Sequence, residues 1–195
     1  MDIFTALKKE RRQEKYFFIF MISLFIILPL IAFLSQIKSI FLWSYLGVIE
    51  FLIIISCISK LDYHNLKISC SNNILKFKSG LFLKNSVILC DKVVVVHTDK
   101  YDEEMDIILI STTRFKNKYL KPVSKGFLKK YPEALEEYKK LKKIKPEDSY
   151  YFQVIRKGAL KKYTLLAIIY KNCVKASYTN SAIENIKIAI DKRDI

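Results

Sequence analysis

Two long apolar runs dominate the first sixty positions of the chain. Residues 16–34, YFFIFMISLFIILPLIAFL, contain no charge. At ~1.5 Å rise per residue, a helix of that length spans the roughly 30 Å hydrocarbon core of a bilayer. After the polar break Ser35-Gln36-Ile37-Lys38-Ser39, residues 40–59 form a second run whose single charge is Glu50. Two such runs joined by a short polar segment predict a tight antiparallel transmembrane hairpin. A pair of buried helices in a soluble protein is the competing reading, and the length and low charge of both runs disfavour it.

Beyond Lys60 the hydrophobic period changes to two. Leu66, Ile68 and Cys70 alternate with Lys67 and Ser69, the turn residues Ser71-Asn72-Asn73 follow, and Leu75 and Phe77 oppose Ile74, Lys76 and Lys78. Ser79-Gly80 supplies a second turn. Short β-branched runs at 87–90, 93–96 and 107–111, the last after an acidic loop over 99–106, extend an antiparallel meander. Residues 122–145 switch to helical spacing: Phe127, Leu128, Tyr131, Leu135, Tyr138 and Leu141 recur every three or four positions. Pro132 divides this segment into a short helix from about Ser124 and a second helix with Pro132 in its first turn. Residues 150–155 and 163–170 then read as strands, with 173–178 pairing back across Lys171-Asn172. Ser181-Ala182-Ile183-Glu184 reads as a capping box opening a final helix with Ile183, Ile186, Ala189 and Ile190 on its apolar face.

Charge orients the hairpin. Lys8, Lys9, Arg11, Arg12 and Lys15 precede the first run, the connecting segment carries only Lys38, and Lys60 and Lys67 follow the second run. The positive-inside rule then puts both termini in the cytoplasm, with two spans in a cell membrane. Tyr16, Trp43 and Tyr45 sit where interfacial aromatic belts are expected. No cleavable signal peptide is expected, because the leading segment is too long and too acidic for an n-region and the first run too long for an h-region. The expected organisation is a basic N-terminal segment (1–15), the hairpin (16–60) and a cytoplasmic domain (61–195) with a helical insert at about 122–145. Pro29 falls inside the first span, where prolines are tolerated. Glu50 lies ten residues into the second, ~15 Å deep by helix rise. A carboxylate there is costly unless protonated or paired. A neutral Glu bonded within the hairpin and a contact with another membrane subunit both satisfy that requirement.

The order of these segments resembles the bacterial PH-like domains of small membrane proteins. The carrying residues are Tyr63 and Ile68-Ser69, the turn Asn72-Asn73, Leu75 with Ser79-Gly80-Leu81-Phe82, and Ile88-Leu89-Cys90-Asp91-Lys92-Val93. They cover Tyr63 to His97 after a two-span hairpin; Leu89 stands where the family usually has Pro. The resemblance implies an α+β fold: a two-helix transmembrane hairpin, then a PH-like antiparallel β-barrel or curved sheet with an inserted helical segment, plugged by a C-terminal helix. Runs of strands followed by a last helix point the same way independently.

Net charge is +15, yet 29 of the 34 basic residues are Lys, beside many Ile and Asn and few Gly, so part of the charge reflects AT-rich coding. The remaining signal is the crowding of Lys116, Lys118, Lys121, Lys125, Lys129 and Lys130 around Tyr119, Phe127 and Tyr131. Near an anionic leaflet such residues contribute about 1 kcal/mol each. Solvated surface accounts for them without any ligand; beside that reading they are the candidates for contact with anionic lipid headgroups or a protein partner, and tethering argues against nucleic acid. The four cysteines (Cys57, Cys70, Cys90, Cys173) lack metal spacing and read as small buried hydrophobes, and His64 and His97 are isolated. The cluster Asp99, Asp102, Glu103, Glu104, Asp106 lacks the glycine and terminal Glu of a calcium loop and reads as solvated surface. No phosphate-loop, nucleophile-elbow or zinc-protease motif occurs. The expectation is therefore a non-enzymatic module without cofactor or metal, binding or scaffolding partners at the inner leaflet, oligomerisation left open. The alternative is an accessory subunit of a transport or secretion complex that works through the hairpin and Glu50.

Overall fold

The computed structural model describes residues 3–35, 39–81, 85–101 and 104–190. The segment 36–38 between the apolar runs, Phe82 of the corner motif, and Asp102 and Glu103 of the acidic run lie outside the described residues. The chain divides into two compact units, residues 1–63 and 64–195.

The first unit is helical. α1 (Ile3–Leu34) continues the first apolar run backwards through the basic segment, and α2 (Ile40–His64) carries the second. Both are long and apolar enough to cross a membrane, and none of their most apolar stretch is buried against protein. Apolar side chains point outward all round, from Ile19 and Phe20 to Phe51 and Leu52. A helix apolar on every side needs an apolar surrounding, from protein or lipid. Lys60 Nζ lies 5.7 Å above the Phe17 ring. That contact sets the start of one run beside the end of the other, the antiparallel arrangement that the short connection predicts.

The second unit is α+β with mostly antiparallel pairing. β1 (Leu66–Ser71), β2 (Ile74–Ser79) and β3 (Ser86–Leu89) form a three-stranded antiparallel sheet in sequence order. Asn72 and Asn73 join β1 to β2 with φ of 48° and 62°. Two consecutive positive φ values define the tight turn whose twist matches a hairpin, and Asn tolerates that region better than other side-chain-bearing residues. A 3-10 turn (Cys90–Lys92) leads into the second sheet. There β4 (Val93–Tyr101), β5 (Glu104–Ser111), β6 (Lys121–Pro122), β7 (Tyr151–Ile155) and β8 (Ser177–Tyr178) stand in the order β6-β7-β5-β4-β8. Both sheets are open.

The larger sheet is covered on both faces, which explains why its central strands are continuously apolar instead of alternating. On one face Val96, Ile107, Leu109 and Ile155 pack with Leu75, Phe77 and Ile88 of the small sheet and with two helices, α5 (Lys161–Asn172) and α6 (Asn180–Ile190). On the other, Val95, Ile108 and Ile110 meet Phe127 of α3 (Lys125–Lys130), Tyr131, and Ala134 of α4 (Pro132–Ile144). α3 and α4 follow the predicted signals. The Ser124 side chain accepts from Phe127 N–H, and Pro132 starts α4 where its missing N–H costs no bond. Glu133 falls in the first turn of α4 and Lys142 and Lys143 in the last, matching the helix dipole.

Four local expectations need correction. Residues 163–170, expected as a strand, lie within α5. Leu165, Leu166, Ile169 and Cys173 share one buried face at helical spacing, but Ala167 is buried as well, so no polar alternation marks either period. Residues 173–178 do not hairpin back: Ser177 and Tyr178 join β4 as a short parallel strand, opposite Val95 and Val96. The acidic stretch is strand where described, with Asp99 opposite Asp106 and Lys100 opposite Met105 across β4 and β5. Finally, α6 is capped by Thr179 and not by Ser181. Thr179 Oγ1 accepts from Ala182 N–H at 3.3 Å, and Thr179 N–H donates to Val96 O at 3.1 Å, so the chain leaves the sheet and enters the helix at that residue. Ile183 consequently turns outward, while Ile186 and Ala189 are buried.

Candidate functional site

A cleft of about 600 Å³ opens where β7, α3 and the β2–β3 side of the small sheet meet. Volumes of that size hold small organic ligands. Its apolar wall is Phe127 and Phe152, stacked with ring centroids 3.8 Å apart and planes 22° from parallel. The register Ile110–Phe152 and Lys121–Phe152 fixes Phe152 in the middle of the sheet, and one turn of α3 lays Phe127 over it.

A buried chain of side-chain amides forms the polar wall. Asn117 Nδ2 donates to Gln153 Oε1 at 2.8 Å, and Gln153 Nε2 donates to Ser86 Oγ at 2.9 Å. Asn117 Oδ1 also accepts from Tyr119 N–H at 2.9 Å. These bonds tie the loop after β5 to β7 and to the small sheet, so the wall is set in advance of any ligand.

Cations ring the mouth. Lys121 of β6, Lys130 at the end of α3, and Arg156 and Lys157 just after β7 line the cleft, and among the described residues no Asp or Glu does. Arg156 is partly answered from outside: its Nε lies 3.5 Å from Asp106 Oδ2. Burial pushes the Asp106 carboxyl above its ordinary range, opposed by the charges of Lys162 and Arg156. Lys162 is 2% exposed and donates to the Arg156 carbonyl at 2.6 Å, bracing the backbone that carries the guanidinium. Lys130 Nζ sits 5.3 Å above the Tyr131 ring. Tyr131 also lines the cleft, and among the described residues its buried hydroxyl has no hydrogen-bond partner.

Of the six lysines singled out in the sequence, the structure brings Lys121 and Lys130 to this cleft. Lys116 and Lys118 stand exposed on the turns before β6, and Lys125 and Lys129 are exposed on α3. Arg156, Gln153, Ser86 and Tyr131 complete the site from positions that share no motif; the one sequence signal was Arg156-Lys157 closing an apolar strand. Glu50 is half-buried in α2, and among the described residues no hydrogen bond or ion pair reaches its carboxylate.

A second polar cluster surrounds His97, which lies within β4 and is 5% exposed. Its Nδ1 lies 3.0 Å from Thr179 Oγ1, 3.2 Å from Ser181 Oγ and 3.8 Å from Glu133 Oε2. Serine, histidine and glutamate together suggest hydrolytic chemistry, but a triad needs the acid on one ring nitrogen and the nucleophile on the other. Here all three oxygens address Nδ1. Glu133 Oε2 also accepts from Ser181 N–H at 3.4 Å, a carboxylate at the start of α6 where the helix dipole favours it. The cluster fastens α4, β4 and α6 together. Burial pushes the His97 pKa below its ordinary value, with Glu133 and then Asp99 opposing.

The cysteines outside the long helices converge although they are distant in sequence. Cys90 and Cys173, both buried, lie close enough for their thiols to interact, with Cys70 beside them, and none is in a disulfide. Burial raises the thiol pKa of Cys90 and Cys173, so neither is an activated nucleophile. Among the described residues no group of three or more His, Cys, Asp or Glu is arranged to hold a metal ion.

Against models of known families, curated proteins and solved structures, the chain finds no match.

Proposed function

We propose that this chain is a membrane-anchored, non-enzymatic binding module: α1 and α2 cross the membrane as a hairpin with both termini in the cytoplasm, and the α+β unit engages a partner at the inner leaflet through its cation-ringed cleft. The observation that carries the reading is the cleft itself, a preformed recess with four basic side chains and, among the described residues, no carboxylate in its lining. Such a site attracts anionic groups at a membrane surface, where the leaflet is itself anionic. The non-enzymatic part rests on the His97 cluster, whose oxygens converge on a single ring nitrogen, and on raised thiol pKa values at Cys90 and Cys173. The PH-like assignment is supported by a strand meander before the inserted helices and a last helix packed on β4. The two open sheets, α5 and the parallel strand β8 are departures that a PH-like fold would have to accommodate.

Thiol accessibility in intact cells tests the anchoring. In a background with the native cysteines replaced, a membrane-impermeant maleimide should label a cysteine introduced at Gln36 and spare one at the exposed Lys143. Labelling at Lys143 before lysis would overturn the cytoplasmic placement of the domain.

A further inference from the structure

The geometry points to a ligand class for the cleft: a small phosphorylated molecule with a flat or aliphatic body, its phosphate among Lys121, Lys130 and Arg156 and its body against Phe127 and Phe152. This rests on the binding-module reading and goes beyond it, since it names what the cleft recognises.

Three observations converge. First, the cations come from three separate segments, β6, the end of α3 and the residue after β7, so the fold gathers like charges that repel one another unless an anion lies between them. Asp106 answers Arg156 from outside the lining and also interacts with the charges of Lys162 and Lys130, and among the described residues no carboxylate lies in the lining itself. Phosphate suits the set, because the Arg fork binds two of its oxygens at once and lysines add point charges beside it. Second, Tyr131 lines the cleft and its buried hydroxyl has no hydrogen-bond partner among the described residues. A buried donor is costly when unpaired, and a small shift of the ring on binding would let a ligand oxygen satisfy it. Third, the opposite wall is a stacked aromatic pair and not a polar surface. A bare inorganic anion leaves that wall unused, whereas an organic phosphate covers it.

Gly126 supplies a clean perturbation. It lines the cleft, and a Cβ added there meets nothing within 4 Å. Gly126→Leu therefore adds apolar bulk to the lining from a Cβ that has room, with better helix propensity than glycine.

Two sources present this chemistry, a phospholipid headgroup and a soluble organic phosphate. The full chain in phosphatidylcholine nanodiscs separates them by calorimetric titration with dihexanoyl phosphatidic acid, phenyl phosphate and inorganic phosphate. We expect saturable binding of at least one organic phosphate, about tenfold tighter than inorganic phosphate, weakening as salt rises. Preference for the phosphatidic acid assigns the headgroup; preference for phenyl phosphate assigns a soluble ligand; equal binding assigns the phosphate-plus-apolar chemistry common to both. Lys130→Gln and Arg156→Gln should each weaken binding about tenfold. Gly126→Leu should abolish it with unchanged circular dichroism and melting. The triple exchange of Lys139, Lys140 and Lys143 to Gln on α4 should leave it unchanged. Absence of saturable binding, full binding by Gly126→Leu, or equal losses from the α4 triple would each overturn the assignment. Incorporation into the nanodisc is scored separately, so failure of membrane anchoring and failure of ligand recognition give different results.

Discussion

Gly158→Ala should unfold the second unit well below the melting temperature of the native chain, for two additive reasons visible at one residue. Gly158 has φ of +123°, a backbone region that side-chain-bearing residues rarely enter. Holding an alanine there costs about 1–3 kcal/mol. Its Cβ would also lie 2.6 Å from Leu66 Cδ2 and 2.9 Å from Leu66 Cβ, inside van der Waals contact. Leu66 is 6% exposed in the core where β1 begins and has little room to retreat, so overpacking adds roughly 1–3 kcal/mol. The sum, about 2–6 kcal/mol, corresponds to a melting-temperature drop on the order of 10–20 °C for a unit of this size. The measurement is thermal melting of the full chain in detergent micelles, followed by circular dichroism in the strand region and by hydrogen exchange at β1. A double-mutant cycle isolates the part of the overlap that comes from Leu66 Cδ2. Leu66→Ala alone leaves a cavity and costs roughly 2–5 kcal/mol, but it removes the Cδ2 contact. The double variant should then be about 1–2 kcal/mol more stable than the sum of the single effects, since contacting residues couple by that much. Additive losses would refute the approach of Leu66, and a Gly158→Ala variant that melts with the native chain would refute the strained turn as well.

Two further outcomes follow from burial elsewhere. Ile186, 4% exposed on α6, contacts the core shared by both sheets, so Ile186→Asp should lower stability by about 3–5 kcal/mol, and full stability in the same melts would contradict the packing of α6. His97 has a folded pKa below its ordinary value, so the unfolded chain binds the extra proton first. Its contribution to stability is present above about pH 6.5 and is lost as pH falls from there toward the folded pKa. His97→Asn, which keeps a polar partner for Thr179, should flatten the stability curve in that window; parallel curves for the two proteins would remove His97 as the titrating group.

Much of the secondary structure is legible in the sequence because local chemistry decides it. Unbroken apolar length marks α1 and α2, the Asn72-Asn73 pair sets a turn that tolerates positive φ, and Ser124 and Pro132 mark the starts of α3 and α4. The failures fall where packing overrides local pattern. α5 is buried on too many sides to display a period, and the start of α6 is fixed by Thr179 bonding to His97 and to Val96, partners more than eighty positions away. The candidate site divides the same way. A lysine-rich stretch is visible in any reading, but a linear sequence cannot say which lysines share a recess. Only the register of β5, β6 and β7 carries Lys121 and Arg156 to one mouth with Lys130, and only the layering of α3 on that sheet sets Phe127 on Phe152. Local preferences act over a few residues along the chain, whereas charge and apolar surface act through space. The cleft, the three neighbouring cysteines and the His97 cluster therefore exist only once the sheets have formed.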